Sequence, residues 1–267
     1  MTTSRRVFDF HVHCYPEKVA ERAIGAVGPL GLHPSFDGTM AGLKRSMTEA
    51  GITASLNLPL ANTPKNIRGI NAWAAANNAA PVYSLGSIHP ADPHPDRTLS
   101  WIRSLGLKGI KLHPEYQRFR IDDPRLHPIW EGCIANGLFV LTHAGNDIAF
   151  DPPANSNPAM LAELHRRYPA LTLVLAHLGS WGMWQDVETH LAGLPVYLDL
   201  AFTLGSIDDE LLLRIIARHG AAHILFGTDA PWQSQRESLE KFLALPLREE
   251  EKELILYDNA ARLLGLQ

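Results

Sequence analysis

The chain has 267 residues, 46% hydrophobic and 19% charged, enough for a large core and near the usual size of one α/β barrel. A formal net charge of -4 and a pI near 6.3 argue against a nucleic-acid or anionic-membrane surface, which needs a basic excess. Cys14 and Cys133 are too few for a disulfide framework, the start through Val7-Phe8-Asp9-Phe10-His11 is no signal peptide, and no apolar run approaches a bilayer's width; a reduced, cytoplasmic protein is expected.

Short apolar runs alternate with helical patterns from end to end. The runs cover 7–13, 52–58, 82–89, 109–113, 138–143, 171–177, 196–200 and 223–229, each rich in Val, Ile, Leu or Phe, and each predicts a strand buried on both faces. Helix starts are predicted at Asp96, at Asn157-Pro158 and at Asp208-Asp209-Glu210, with Pro or acidic residues in the first turn. Gly51, Gly106, Gly137 and Gly220 follow helical patterns, where a left-handed C-cap is expected. Glu249-Glu250-Glu251 before Lys252 reads as a first helical turn, and 247–264 as one more helix packed outside. Eight strand–helix units with no Gly-rich phosphate fingerprint after the first predict an α/β fold, a (β/α)8 TIM barrel with an extra C-terminal helix, in one domain over 1–267.

Polar residues fall at one end of these runs. The first ends in His11-Val12-His13, the third in His89-Pro90, the fourth in Lys111-Leu112-His113-Pro114, the fifth in His143-Ala144-Gly145, the sixth in His177-Leu178-Gly179 and the eighth in Thr228-Asp229-Ala230-Pro231. In a barrel the C-terminal strand ends face the active-site mouth. Polar side chains closing apolar runs must find partners when buried, and a divalent cation satisfies several together. Residues two apart on a strand share a face, so His11 and His13 can reach one ion. Imidazole and carboxylate suit zinc, and Asp229 is the natural proton acceptor beside a metal-activated water. His89 is expected to be structural. His33, His94, His127, His165, His190 and His219 are expected in solvent or packing positions, and His223 opens its strand at the wrong end for catalysis.

The ordered set of HxH, KLHP, HAG, HLG and GTDAP resembles the amidohydrolase superfamily. More narrowly it resembles the amidohydrolase-related branch that holds 2-amino-3-carboxymuconate semialdehyde decarboxylase-like enzymes. Asn259-Ala260-Ala261-Arg262-Leu263-Leu264-Gly265 matches a tail common in that branch. The resemblance spans essentially the whole chain. It implies His11, His13, His143 and Asp229 as metal ligands, with Asp229 also the proton acceptor. His177 would be the acid, base or electrostatic aid in mononuclear members, and a second-metal ligand in binuclear ones. Lys111 sits as in the Lys-Leu-Tyr-Pro strand of dihydroorotases, where a carboxylated lysine bridges two metals; as an ordinary ammonium it would pair with a carboxylate or an anionic substrate. The branch implies one ion, zinc being expected, with two as the alternative. His113 is left as a contact to substrate or to a second metal.

Trp181, Trp184, Phe202 and Trp232 follow strands and would line an apolar pocket or cover the barrel; Arg118 or Arg120 would hold a substrate carboxylate. The expected activity is hydrolysis of an amide, lactone or ester of a small molecule. The alternatives are nonoxidative decarboxylation of an aromatic or unsaturated acid, and a catalytically silent metal-binding barrel. A small-molecule substrate, no nucleic acid, no membrane and a possible homo-oligomer complete the expectation.

Overall fold

The structure, a computed structural model, describes residues 5–26 and 30–266. Every predicted run contains a strand: β1 (Phe8–Val12), β2 (Ala54–Asn57), β3 (Val82–Ser84), β4 (Gly86–Ser87), β5 (Gly109–Leu112), β6 (Phe139–Thr142), β7 (Leu173–Leu175), β8 (Tyr197–Asp199) and β9 (Ile224–Leu225). The third run is split at Leu85, so β3 pairs with β2 and β4 with β5; all these ladders are parallel. Across the split, the Leu85 amide still donates to Asn57 O at 3.0 Å. The last run bonds back to the first through Phe10 N to Phe226 O at 2.8 Å, Asp229 N to His11 O at 2.8 Å and His13 N to Ala230 O at 2.7 Å. These bonds close the sheet into the (β/α)8 TIM barrel.

Phe8, Phe10, Leu56, Leu141, Val174 and Leu225 fill the inner cluster, and Tyr257, Ala260 and Leu264 join it from the C-terminal segment, sealing one end. Val7, Val12, Ile110, Leu112, Val140, Leu173 and Ile224 belong instead to the layer between sheet and helices. Strict alternation from Phe8 and Phe10 would turn His11 and His13 outward with Asp9. The register between β1 and β2 shifts between Asp9 and Val12, and that irregularity resets the parity so that both histidines face the barrel mouth.

The helices are α1 (Glu17–Gly25), α2 (Met40–Ala50), α3 (Ile67–Ala76), α4 (Pro95–Ser104), α5 (Pro114–Gln117), α6 (His127–Asn136), α7 (Pro158–Arg167), α8 (Trp184–His190), α9 (Asp209–His219), α10 (Gln235–Ala244), α11 (Glu249–Glu253) and α12 (Asn259–Leu264). Asn157 caps α7 by accepting from Met160 N, and Asp208 caps α9 by accepting from Leu211 N. Helix α4 starts one residue before Asp96, with Pro95 in its first turn. Gly51 and Gly137 form the expected left-handed caps. Gly220, at φ 91° and ψ 126°, does not, because the chain must extend at once into the turn before β9.

The C-terminal segment is not one regular helix. A π-helical turn, Leu254–Asp258, separates α11 from α12, and Ile255 O accepts from Phe226 N at 2.9 Å. The wider turn frees a carbonyl for the barrel strand. Among the described residues no helix is long and apolar enough to cross a membrane.

Candidate active site

The mouth is built where the strand ends depart from regular geometry. His177, Leu178, Phe202 and Asp229 all take positive φ, between 54° and 67°. Such conformations cost about 1–3 kcal/mol each in non-glycine residues and persist only where the surroundings impose them. Gly145 of the fifth motif has a packing reason: a Cβ there would stand 2.3 Å from the Trp181 backbone nitrogen.

His11 and His13 converge on Asp229. Asp229 Oδ1 lies 3.2 Å from His11 Nε2 and 3.0 Å from His13 Nε2, and the three residues offer ligand atoms within 4.8 Å of one another. His143 is not in that tightest group. Its Nδ1 lies 3.0 Å from His177 Nε2, and the His177 ring lies 5.3 Å from the His11 ring. The five side chains therefore form one continuous row across the mouth.

Their outer partners decide where the protons are. Carboxylate and carbonyl oxygens accept, so the nitrogen facing each must donate. His11 Nδ1 donates to Asp199 Oδ2 at 2.8 Å, His13 Nδ1 to Leu58 O at 3.2 Å and His177 Nδ1 to Ala201 O at 2.9 Å. His143 Nε2 donates to Asn146 O at 3.1 Å. In the neutral rings the remaining nitrogens then carry lone pairs. Those lone pairs face one another or face Asp229: acceptor meets acceptor at 3.0–3.2 Å. Such an arrangement is repulsive unless a proton or a cation joins it, so the donor set fits a divalent ion.

Burial pushes His11 well below the ordinary histidine range, reinforced by Lys111 and opposed by Asp229; burial and then His113 do the same to His143. Both favour the neutral, ligating form. For Asp229, burial acts upward, but positive charge shared with His11 and His13 outweighs it and holds the carboxyl at about 2. Lys111 is buried, with Nζ 3.5 Å from His11 Nε2, and burial pulls it down to about 8 against Asp199, Asp229 and Asp147. It makes no ion pair within 4.0 Å among the described residues.

Several contributors lie outside the sequence-derived set. Asp199, at the end of β8, orients His11 with one oxygen and accepts from the His177 and Ala201 amides with the other. Its signal was a lone Asp in the apolar run 196–200. Asp9 faces away from the mouth and accepts from Thr228 N, Thr228 Oγ1 and Gln235 Nε2, tying the Asp229 loop to β1 and α10; burial pushes it up to about 7, opposed by these bonds. Asp147 and Glu115 adjoin His113, at 3.3 and 3.5 Å.

The remaining candidates divide. His89 Nδ1 accepts from Ala91 N, a structural bond as expected. Trp184 Nε1 donates to His177 O at 3.1 Å and packs on the outer core, so it braces the motif from behind. Trp181 and Phe202 meet edge to face at 6.2 Å. Trp232 N donates to Asp229 O. Arg120 is exposed and clamped by Asp122 at 2.9–3.0 Å, and Arg118 is exposed. His33, His94, His127 and His190 are exposed and His165 half-buried, as expected; His219 is buried with both ring nitrogens bonded, and His223 is half-buried near the opposite end. Both cysteines are free and buried, and burial pushes both thiols up.

A TIM-barrel protein of Bordetella bronchiseptica with no characterised function superposes with a TM-score of 0.79 at 24% identity, covering 97% of this chain and 98% of that one. A dihydroxybenzoic acid decarboxylase of Polaromonas, holding manganese and 2-nitroresorcinol, gives 0.74 at 18% over 98% and 97%. A Pseudomonas putida protein assigned as a 2-pyrone-4,6-dicarboxylic acid hydrolase gives 0.68 at 17% over 98% of each chain. At these identities the likenesses establish the fold. No curated protein sequence matches significantly. The family model described as Amidohydrolase matches residues 9–266, from the first strand to the C-terminal helix, and the chain therefore belongs to the amidohydrolase family of enzymes.

Proposed function

We propose that this enzyme is a metal-dependent hydrolase that adds water across an amide, lactone or ester bond of a small molecule. One observation carries the reading: five side chains from four strand ends aim unprotonated donors at one space, and each of the four histidines is fixed by a bond on its far side. His11, His13, His143 and Asp229 would hold a single divalent ion, with His177 beside it. Zinc suits imidazole and carboxylate donors, and manganese is what the Polaromonas enzyme holds. Such an ion, when bound, lowers the pKa of water and polarises a carbonyl.

The chain's own groups then move the proton. Both imidazole contacts of Asp229 run through Oδ1, which leaves Oδ2 to take a proton from the attacking water and return it to the leaving group. His177 Nε2 opens on the same space and steadies the developing oxyanion when it carries the proton. Asp199 keeps His11 in the ligating tautomer. Lys111 serves as a buried ammonium that anchors a substrate oxygen.

Replacement of Asp229 by Asn tests this. On a panel of esters, lactones and cyclic amides, kcat should fall by about 10²–10⁴. Unchanged turnover of a good substrate would rule out the proton-transfer role.

Decarboxylation of an aromatic or unsaturated acid is the second reading, favoured by the Polaromonas neighbour and by Lys111 as a cation for a carboxylate. Release of carbon dioxide without incorporation of labelled water decides for it. Ion content per chain, measured with the intact mass, distinguishes one ion from two ions bridged by a carboxylated Lys111.

A further inference from the structure

Among the described residues the exposed large apolar side chains are Tyr116 at 41%, Ile148 at 47% and Phe150 at 40%. All three follow adjacent strands at the barrel mouth, Tyr116 in α5 after β5 and the other two in the loop after β6. A single exposed apolar residue needs no explanation, but three on one rim mark a contact surface. The loop holds its pair out rather than letting it collapse. Phe150 N donates to Asp147 O at 3.1 Å, and Asp147 Oδ1 accepts from Ala149 N at 2.8 Å, which folds the tip into a turn. Both feet of the loop are pinned: Asn146 N donates to Trp181 O at 3.1 Å, and Asn155 N to Glu115 Oε1 at 2.9 Å.

The patch is continuous with the donor set. Phe150 meets Tyr116 edge to face with ring centroids 4.9 Å apart, Tyr116 meets His113 in the same way at 4.6 Å, and His113 stacks on His143 at 4.1 Å. Burial, then Asp147 and Asp229, pushes the Tyr116 hydroxyl up to about 12, so this ring feels the charge at the centre of the mouth while its edge stays open to solvent. Partial exposure of three such side chains amounts to roughly 250 Å², far below the about 800 Å² per partner that a stable protein interface buries. A second copy of the chain is therefore a poor occupant, and one small apolar group a good one.

We propose that Tyr116, Ile148 and Phe150 form the subsite for a hydrocarbon chain of the substrate, which runs outward from the bond being split along this rim. Resting on the hydrolase reading of the neighbouring donors, the subsite names the substrate class as acyl compounds with an apolar tail. The offset of the patch sets the length. Tyr116 lies two ring contacts from His143 and Phe150 lies three, so an acetyl group held at the donors stops short, whereas a longer chain crosses Tyr116 and reaches Phe150.

The test uses the full-length chain with zinc supplied. Across the ethyl esters of acetic, butyric and hexanoic acids, kcat/KM should rise about 2–4-fold per methylene, the upper value being that of full burial. The double variant Ile148→Ser, Phe150→Ser should lose about 10-fold or more of the hexanoyl preference over acetyl. Both side chains are exposed, and the bonds that shape their loop run through its backbone, Asp147 and Glu115, so the fold tolerates the change. A second readout needs no turnover. Hexanoate should bind more tightly than acetate and shift the Ile148 methyl resonance of protein carrying labelled isoleucine methyls, and the double variant should bind the two acids more nearly alike.

An Ile148 methyl unmoved by hexanoate, or a hexanoyl preference equal in the double variant and the unaltered chain, overturns the subsite. Tight hexanoate binding that moves the Ile148 methyl, with none of the esters split, would uphold the subsite and instead count against the hydrolase reading.

Discussion

The two ends of this barrel treat buried polar groups in opposite ways. At the end sealed by α12, His219 and Asn259 are paired. His219 accepts from Gly193 N with one nitrogen and donates to Val196 O with the other, and Asn259 Nδ2 donates to the Ala221 and Ile224 carbonyls. At the mouth, donors are aimed at one another, Glu115 Oε2 and His113 Nδ1 lack partners, and four residues hold positive φ. Both ends are closed by the same apolar strands, so burial alone does not separate them. The sealed-end pairs are satisfied by backbone groups, whereas among the described residues the mouth leaves donors facing one another, which the proposed ion would answer.

That contrast can be broken most directly by removing any bound ion. A chelator should destabilise the metal-loaded protein by about 4 kcal/mol if free metal stands near a thousand times its dissociation constant. Thermal unfolding with and without chelator reads the difference, and an unchanged Tm would mean that the mouth is self-sufficient.

The sealed end should respond to pH instead. Burial pulls His219 down to about 4, against its bond to Val196 O. The unfolded chain takes up this proton near pH 6.5 and the fold only near 4. The contribution is therefore complete above 6.5 and is lost as pH falls toward 4, by about 3 kcal/mol. His219→Gln should flatten the stability profile by that amount over that window. An unaltered slope in denaturant titrations across it would show that His219 is not a buried neutral group.

The smallest effect should come from Asp199→Asn. The substitution loosens the hold on the His11 tautomer without removing a ligand, so metal affinity should fall about 10–100-fold while the fold persists. Equal affinity in a competition assay would remove Asp199 from the metal centre.

Much of the barrel and of the residue types at its mouth is legible in the sequence. The eight runs, the caps at Asn157 and Asp208 and the strand-end histidines depend on local pattern, and local pattern is written in neighbouring residues. Asp199 was less legible because one Asp in an apolar run looks the same whether it orients a histidine or bonds a turn. Asp147 was hidden in a loop, where position carries no periodicity. The span of the final helix was legible, but its π-helical turn was not, since that turn answers a strand amide far away in sequence.

By itself, the sequence determined the strand–helix alternation and the residue types available at each strand end. Only the tertiary structure decided which way His11 and His13 point, through a register shift against β2, and which nitrogen of each ring keeps its lone pair. Both depend on backbone and carboxylate partners brought in from other strands, and a side chain's tautomer is set by what lies opposite it in space.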